Sequence, residues 1–310
     1  VVDEIHKLKN PKGFRAQKLF DFIGEKENQN QYFCALSGTP APNKVKDFAV
    51  SIKSLYADNK KIANMDIKDL TYNIIKGHQV DLRSMLMPKM QMKEMSESLE
   101  MSEKEEIIEE LEMTENEKII YNNILDNDEL TASEKIITLR KFLLNPELFI
   151  KTDQKFEGSK VKKLKSLLRE KFLVENESRV IVFVNDYIDG VIRDDEQGKS
   201  IIDKLGLPKD IKILSVHGEN EKDRSEIQKE FNNRETKGEE KILLLVSGQT
   251  ADVGVDYTGA DSLIVYNEPW SEYDLQQQIA RVYRPGLDHD LNVHRLVVQD
   301  SIEKGIHDYI

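Results

Sequence analysis

The chain has 310 residues, with 45 Lys and Arg against 57 Asp and Glu, so its formal net charge is −12; 39% of its residues are hydrophobic. That length provides for about two domains of ~150 residues, each able to bury a substantial core. No window approaches the roughly 20 consecutive apolar residues of a membrane-spanning helix, and the acidic balance excludes a polyanion binder held by overall charge alone.

The chain opens on Val1-Val2-Asp3-Glu4, without Met, as a cut through something larger would. Val1-Val2 runs into acidic residues as a strand end does; a helix is predicted over 14–23, a short strand over 31–36 and a second helix over 45–56. Between the last two, Ser37-Gly38-Thr39-Pro40 reads as a turn. The single cysteine, Cys34, can form neither an internal disulfide nor a cysteine-based zinc site. It points to a reducing, intracellular compartment, whether prokaryotic cytoplasm, virus-infected cell or nucleus.

From about residue 90 the sequence becomes acidic and Met-rich around Ile107, Ile108 and Leu111. Thr114 followed three residues later by Glu117 predicts a capping box for a helix reaching Leu125. The stretch 91–157 is therefore expected to be a helical insertion or linker, its charge run a solvated face. Beyond Ser159, β-branched and aliphatic runs predict strands over 179–184, 210–216, 241–246, 262–266 and 293–298, with helices over 199–205, 221–231 and 273–283. Near-continuous apolar strands alternating with helices imply an α/β fold with a parallel sheet buried on both faces. Ligands of such sheets sit outside the carboxyl ends of the strands.

Three constellations can carry chemistry. Asp3-Glu4-Ile5-His6 follows an apolar strand end, where an Asp can hold Mg²⁺ against phosphates and the adjacent Glu can orient or deprotonate a water. The same pair also reads as surface charge. Arg281 and Arg284 stand three apart on a predicted helix and so share a face, fit to clamp a phosphoryl group or to form a solvated basic helix end. The small and polar run 247–256 follows a strand directly, as a phosphate-bearing loop or an ordinary turn would.

These pieces occur in a fixed order: Asp3-Glu4-Ile5-His6, Leu36-Ser37-Gly38-Thr39-Pro40 with Asn43, Leu139-Arg140-Lys141 with Asn145-Pro146, His217-Gly218 with Arg224 and Phe231, Thr258-Gly259-Ala260-Asp261 with Glu268-Pro269-Trp270, and Gln277 with Arg281 and Arg284. The series resembles the Swi/Snf family of ATP-dependent DNA translocases and remodelers within helicase superfamily two. The resemblance implies RecA-like lobes: the C-terminal part of a first lobe over 1–90, the helical insertion over 91–157 and a second lobe over 158–310. It implies ATP and Mg²⁺ as cofactors, with ATP hydrolysed at the cleft between the lobes. Asp3 would bind the metal and Glu4 activate water, with His6 coupling that site to the other lobe. Ser37, Gly38 and Thr39 would link nucleotide state to nucleic-acid grip. Ser247, Gln249, Gly254 and Asp256 would lie where DNA backbone and nucleotide meet, Gly254, Asp256 and Gln277 on the nucleotide side. Arg281 and Arg284 would reach the γ-phosphate. Trp270 corresponds to the family's tryptophan near the DNA, or to a core-packing aromatic. The implied partner is double-stranded DNA, gripped through its backbone irrespective of sequence, together with a possible protein partner or DNA-bound protein that is remodelled. Lys160, Lys162, Lys163 and Lys165 are candidate basic contacts, although a solvated helix face is the better explanation of the four.

The sequence departs from the family at Ala251-Asp252, where Gly-Gly is usual, and at Leu287, where Gln is common. It also contains no phosphate loop: the one Gly-Lys-Ser, Gly198-Lys199-Ser200, has Arg193 five residues before Gly198 where a Gly is needed. The 310 residues alone are therefore expected to hydrolyse ATP poorly. An RNA-directed superfamily-two helicase and a non-catalytic DNA-binding or interaction module are the alternative readings.

Overall fold

The computed structural model describes residues 1–8, 10–25, 33–37, 47–57, 62, 64–66, 68–70, 72, 76, 101–149, 156–193, 200–218, 223–233, 240–248, 255–285, 287 and 289–310. The chain divides into two compact units, Val1–Ser98 and Leu99–Ile310. Among the described residues no helix is long and apolar enough to cross a membrane.

The first unit contains helices α1 (Phe14–Gly24) and α2 (Phe48–Leu55). Ala49 and Ile52 of α2 are buried with Ile62 and Leu70 in a small core. Among the described residues the two expected strand segments meet as a single parallel bridge between Val2 and Ala35. The amide of Val2 donates to the Cys34 carbonyl at 2.8 Å and that of Leu36 to the Val2 carbonyl at 2.9 Å.

The second unit runs β1 (Lys104–Leu111), α3 (Glu115–Leu125), α4 (Ala132–Leu144), α5 (Ser159–Arg169), β2 (Arg179–Val184), β3 (Ile211–Val216), α6 (Arg224–Asn232), β4 (Lys241–Ser247), β5 (Ser262–Asn267), α7 (Glu272–Val282), β6 (Leu291–Val298) and α8 (Ile302–Tyr309). The six strands form one sheet in the order β1-β6-β5-β2-β4-β3, every pairing parallel. Every residue of β2 and β5 is buried. Because side chains alternate along a strand, Val180, Val182 and Val184 enter one core with Phe172 and Leu164, while Ile181 and Phe183 enter the other with Phe231 and Leu275. Each such side chain contributes about 1.5–3 kcal/mol by leaving water, which is why these short apolar runs hold the centre of the sheet.

The expectation of a helical segment over 91–157 is corrected at 104–111, which is strand β1 at the sheet edge, paired in register with β6. Tertiary partners decide this, since Ile107-Ile108 between pairs of glutamates fits neither a helical nor a strand period cleanly. Nor are all its charges a solvated face. Arg295 of β6 reaches Glu106 at 3.3 Å, and Glu109 is paired with Lys163 of α5 at 2.7 Å and with His294 at 2.9 Å. Burial pushes both carboxyls up, but Lys104 and Arg295 at Glu106, and Lys163 and His294 at Glu109, hold them below their ordinary value. Helix α3 starts with the expected capping box of Thr114 and Glu117. The helix predicted over 199–205 is reduced, among the described residues, to one tight turn at Ile202–Lys204.

Candidate functional site

In the first unit, the bridge between Val2 and Ala35 brings Asp3-Glu4 and Ser37 to the same end of the pair, and the Ile5 amide donates to the Leu36 carbonyl at 3.0 Å. The Glu4 amide donates to Asp3 Oδ1 at 2.9 Å. Glu4 holds φ at 52°, a left-handed conformation that costs a non-glycine residue about 1–2 kcal/mol. Strain of this kind clusters at functional positions. His6 lies in the following tight turn, Ile5–Leu8. Gly38 and Thr39 lie outside the described residues, as do Gln249 and Gly254 of the second unit.

In the second unit, parallel pairing puts the carboxyl ends of β2, β4 and β5 side by side, Val184 opposite both Ser247 and Asn267. Ser247 itself is buried at the end of β4. The residues that follow form a buried amide network which the motifs did not reveal. Asn185 donates its backbone amide to Asn267 Oδ1 at 2.8 Å and its side-chain amide to the Asn267 carbonyl at 2.7 Å. Gln278 of α7 donates to Asn185 Oδ1 at 2.5 Å and accepts from Asn185 Nδ2 at 3.2 Å. Gly248 packs against this network so closely that a Cβ there would overlap the Asn185 amide and come within 2.9 Å of Gln278 Nε2. An asparagine at the carboxyl end of each of two apolar strands, Asn185 directly after β2 and Asn267 as the last residue of β5, was the available signal, since a buried amide at a strand end needs partners.

Asp256 is the hub of the predicted arginine site. Its backbone carbonyl accepts from Gln228 at 2.9 Å and Asn232 at 2.8 Å, both on α6, and the next amide, of Tyr257, donates to the Arg281 carbonyl at 2.7 Å. So held, its carboxylate receives Arg284 Nη2 at 2.7 Å and stands 3.6 Å from Arg281 Nη1. The arginines do not meet by helical spacing: α7 ends at Val282 and Tyr283 is extended. They meet because both reach Asp256. Gln277 lies half-buried one turn earlier on α7. Beneath the loop, burial pushes the Tyr257 hydroxyl up against the opposing pull of Arg224.

Trp270 immediately precedes Ser271, the N-cap of α7, and is 47% exposed. One face of its ring is covered by the Arg140 guanidinium, 4.2 Å from the ring centroid. The four lysines do not form a uniform solvated face. Lys160 is fully buried and ion-paired with Glu303 at 2.5 Å, while Lys163 and Lys165 pair with Glu109 and Glu157 at 2.7 and 3.2 Å.

Residues 159–286 match the helicase conserved C-terminal domain family. The unit that contains them, an all-parallel sheet flanked by helices, has a RecA-like lobe fold. Two solved structures have a similar fold: the C-terminal part of the Fun30 ATPase domain (TM-score 0.52, 17% identity, 67% of this chain and 89% of that one) and the Sulfolobus solfataricus SWI2/SNF2 ATPase core in complex with dsDNA (TM-score 0.50, 20% identity, 99% of this chain and 64% of that one). The Caenorhabditis elegans chromodomain-helicase-DNA-binding protein 3 homolog is 24% identical over 334 residues, covering 99% of this chain and 18% of its own length. A Drosophila willistoni RAD54-like DNA repair and recombination protein is 26% identical over 199 residues, covering 57% of this chain and 24% of its own length. The chain thus spans a quarter or less of the length of these curated relatives.

Proposed function

We propose that the chain is part of the motor of an ATP-dependent double-stranded DNA translocase or remodeler. The observation that carries this is the convergence of Arg281 and Arg284 on Asp256 beyond the carboxyl edge of the parallel sheet. A carboxylate that holds two guanidiniums together pre-forms an anion site, and the pair fits a triphosphate: Arg284 Nε is buried without a hydrogen-bond partner among the described residues. ATP hydrolysis in this reading draws on Asp3 and Glu4 from the first unit, the C-terminal part of a first lobe, and on Gln277, Arg281 and Arg284 from the second. Glu4 orients or deprotonates the attacking water, and the arginines neutralise charge on the γ-phosphoryl group.

Among the described residues no group of three or more His, Cys, Asp and Glu side chains could hold a metal ion. Asp3, an exposed carboxylate directly after the Val2–Ala35 bridge, fits Mg²⁺, which is held through one or two carboxylates together with phosphate oxygens and water, and would be its protein ligand. The ion would supply charge neutralisation at the phosphates. Duplex DNA is the proposed nucleic acid, bound through its backbone, with Trp270 at that surface and Ser37 and Ser247 relaying nucleotide state. Chromatin or DNA under repair is the proposed setting, from the names of the relatives, and the nucleus the compartment in a eukaryote.

The test is ATP hydrolysis by a protein joining residues 1–310 to a phosphate loop. Duplex DNA should stimulate it, Glu4→Gln should lower kcat by about 10²–10⁴-fold, and Arg281→Ala or Arg284→Ala by at least about 10³-fold. The 310 residues alone should hydrolyse ATP at background. Stimulation by RNA and not by duplex DNA would favour the RNA-directed helicase, and hydrolysis with neither would leave a binding module.

A further inference from the structure

The surroundings of Trp270 are more elaborate than packing requires. Arg140, on the last turns of α4, is 1% exposed. Its Nη2 donates to the Glu268 carbonyl at 2.9 Å and lies 3.0 Å from Asp186 Oδ2, and its guanidinium covers the indole. Among the described residues Nε and Nη1 have no hydrogen-bond partner, so much of the cation's interaction there is with the ring. Asp186 and Tyr187, directly after β2, both hold left-handed backbones, with φ of 59° and 47°. Two adjacent non-glycine residues in that region are strained, and the turn they make brings Asp186 to Arg140 and Tyr187 to 4.9 Å from Lys141. The Glu268 carboxylate is in turn fixed by Arg295 at 2.5 Å and His307 at 3.0 Å. A buried cation thus fixes one face of an indole that is half-exposed.

We propose that Arg140, oriented by Asp186, is a positioning residue that holds the indole of Trp270 in the orientation needed to contact duplex DNA. Being buried, Arg140 touches no phosphate. It acts by removing rotamer freedom that Trp270 would otherwise lose on binding, the general route by which a pre-formed contact gains affinity. The assignment rests on the DNA-binding reading above.

Trp270 is the chain's one tryptophan, so its fluorescence reports this site without labelling. Duplex DNA of about 25 base pairs, titrated onto the 310-residue chain, should quench it. By anisotropy of a labelled duplex, Trp270→Ala and Arg140→Met should each weaken binding by about tenfold, with the double variant no weaker than either single one. Arg140→Met should increase acrylamide quenching of Trp270 and leave the slope of log affinity against log salt unchanged, whereas loss of a phosphate contact lowers that slope by about one. Arg140→Lys keeps the charge but not the planar fork, and should give intermediate acrylamide quenching. It is the variant to measure if thermal unfolding shows that Arg140→Met does not fold. Duplex binding unaffected by Trp270→Ala, or additive losses in the double variant, would overturn the positioning role and leave the DNA-binding reading intact. No duplex binding by the wild type would overturn both.

Discussion

Glu177 stands just before β2, at the end of the sheet away from the arginines, and burial pushes its carboxyl up to about 7 from an ordinary 4.5. Ser262 donates to it at 2.7 Å and Lys171 lies 3.6 Å away, both favouring ionisation, while the charges of Asp261 and Glu175 oppose it. Since the folded-state value is raised, the neutral acid is the form that folding favours. Its contribution is present in full below about pH 4.5 and is lost as pH rises through about 7. Glu177→Gln retains an acceptor for Ser262 without a charge. It should stabilise the chain by about 1–2 kcal/mol at pH 8, a figure reduced from the full shift for solvent screening, and by nothing at pH 4, measured by urea unfolding at both pH values. A gain of equal size at pH 4 would show that packing, not ionisation, is responsible.

Among the elements, the start of α3 is tied to the start of α5 by one side chain. Glu117 is 1% exposed; its Oε2 accepts from the Thr114 amide at 2.8 Å and its Oε1 from the Ser159 amide at 2.9 Å. The carboxylate thereby serves two helix N-termini, where negative charge is favoured by the exposed amides and the helix dipole. Glu117→Ala should cost about 2–3 kcal/mol, more than the ~1 kcal/mol of an ordinary cap, read as a lower urea midpoint with unchanged slope. Thr114→Ala should cost only about 1 kcal/mol because the contact to Ser159 survives. At the carboxyl edge, Gly248→Ala should cost about 1–3 kcal/mol, since the new methyl displaces the Asn185 and Gln278 amides. The same displacement moves α7, so nucleotide affinity should fall along with the thermal midpoint. A change in midpoint alone would separate the network from the arginine site.

At the scale of the molecule, among the described residues, all six strands and three of the four apolar clusters belong to Leu99–Ile310. A sheet that closes within one unit with a core on each face has what independent folding requires. Residues 99–310 expressed alone should therefore unfold in one cooperative calorimetric transition, within a few degrees of the corresponding transition of the whole chain. A broad, non-cooperative melt would show that residues 99–310 do not fold independently.

What local sequence determined is clear from β2, β4 and β5. Their apolar runs exceed what any other arrangement can keep from water, so a parallel sheet buried on both faces was legible, as was the capping box at Thr114, whose partners lie within one turn. The spacing of Arg281 and Arg284 was legible too, but the helix that was to align them ends at Val282. Only the tertiary structure supplied Asp256 as the group that brings them together, the Asn185–Asn267–Gln278 network behind them, and the placing of Arg140 beneath Trp270, 130 residues further along the chain. It also made a strand of the acidic run at 104–111, because the cations that neutralise Glu106 and Glu109 lie on β6 and α5. Short-range burial and capping act between neighbours in sequence and can be read there. Charge pairing and amide networks depend on which strand ends meet, and that is settled only when the sheet has assembled.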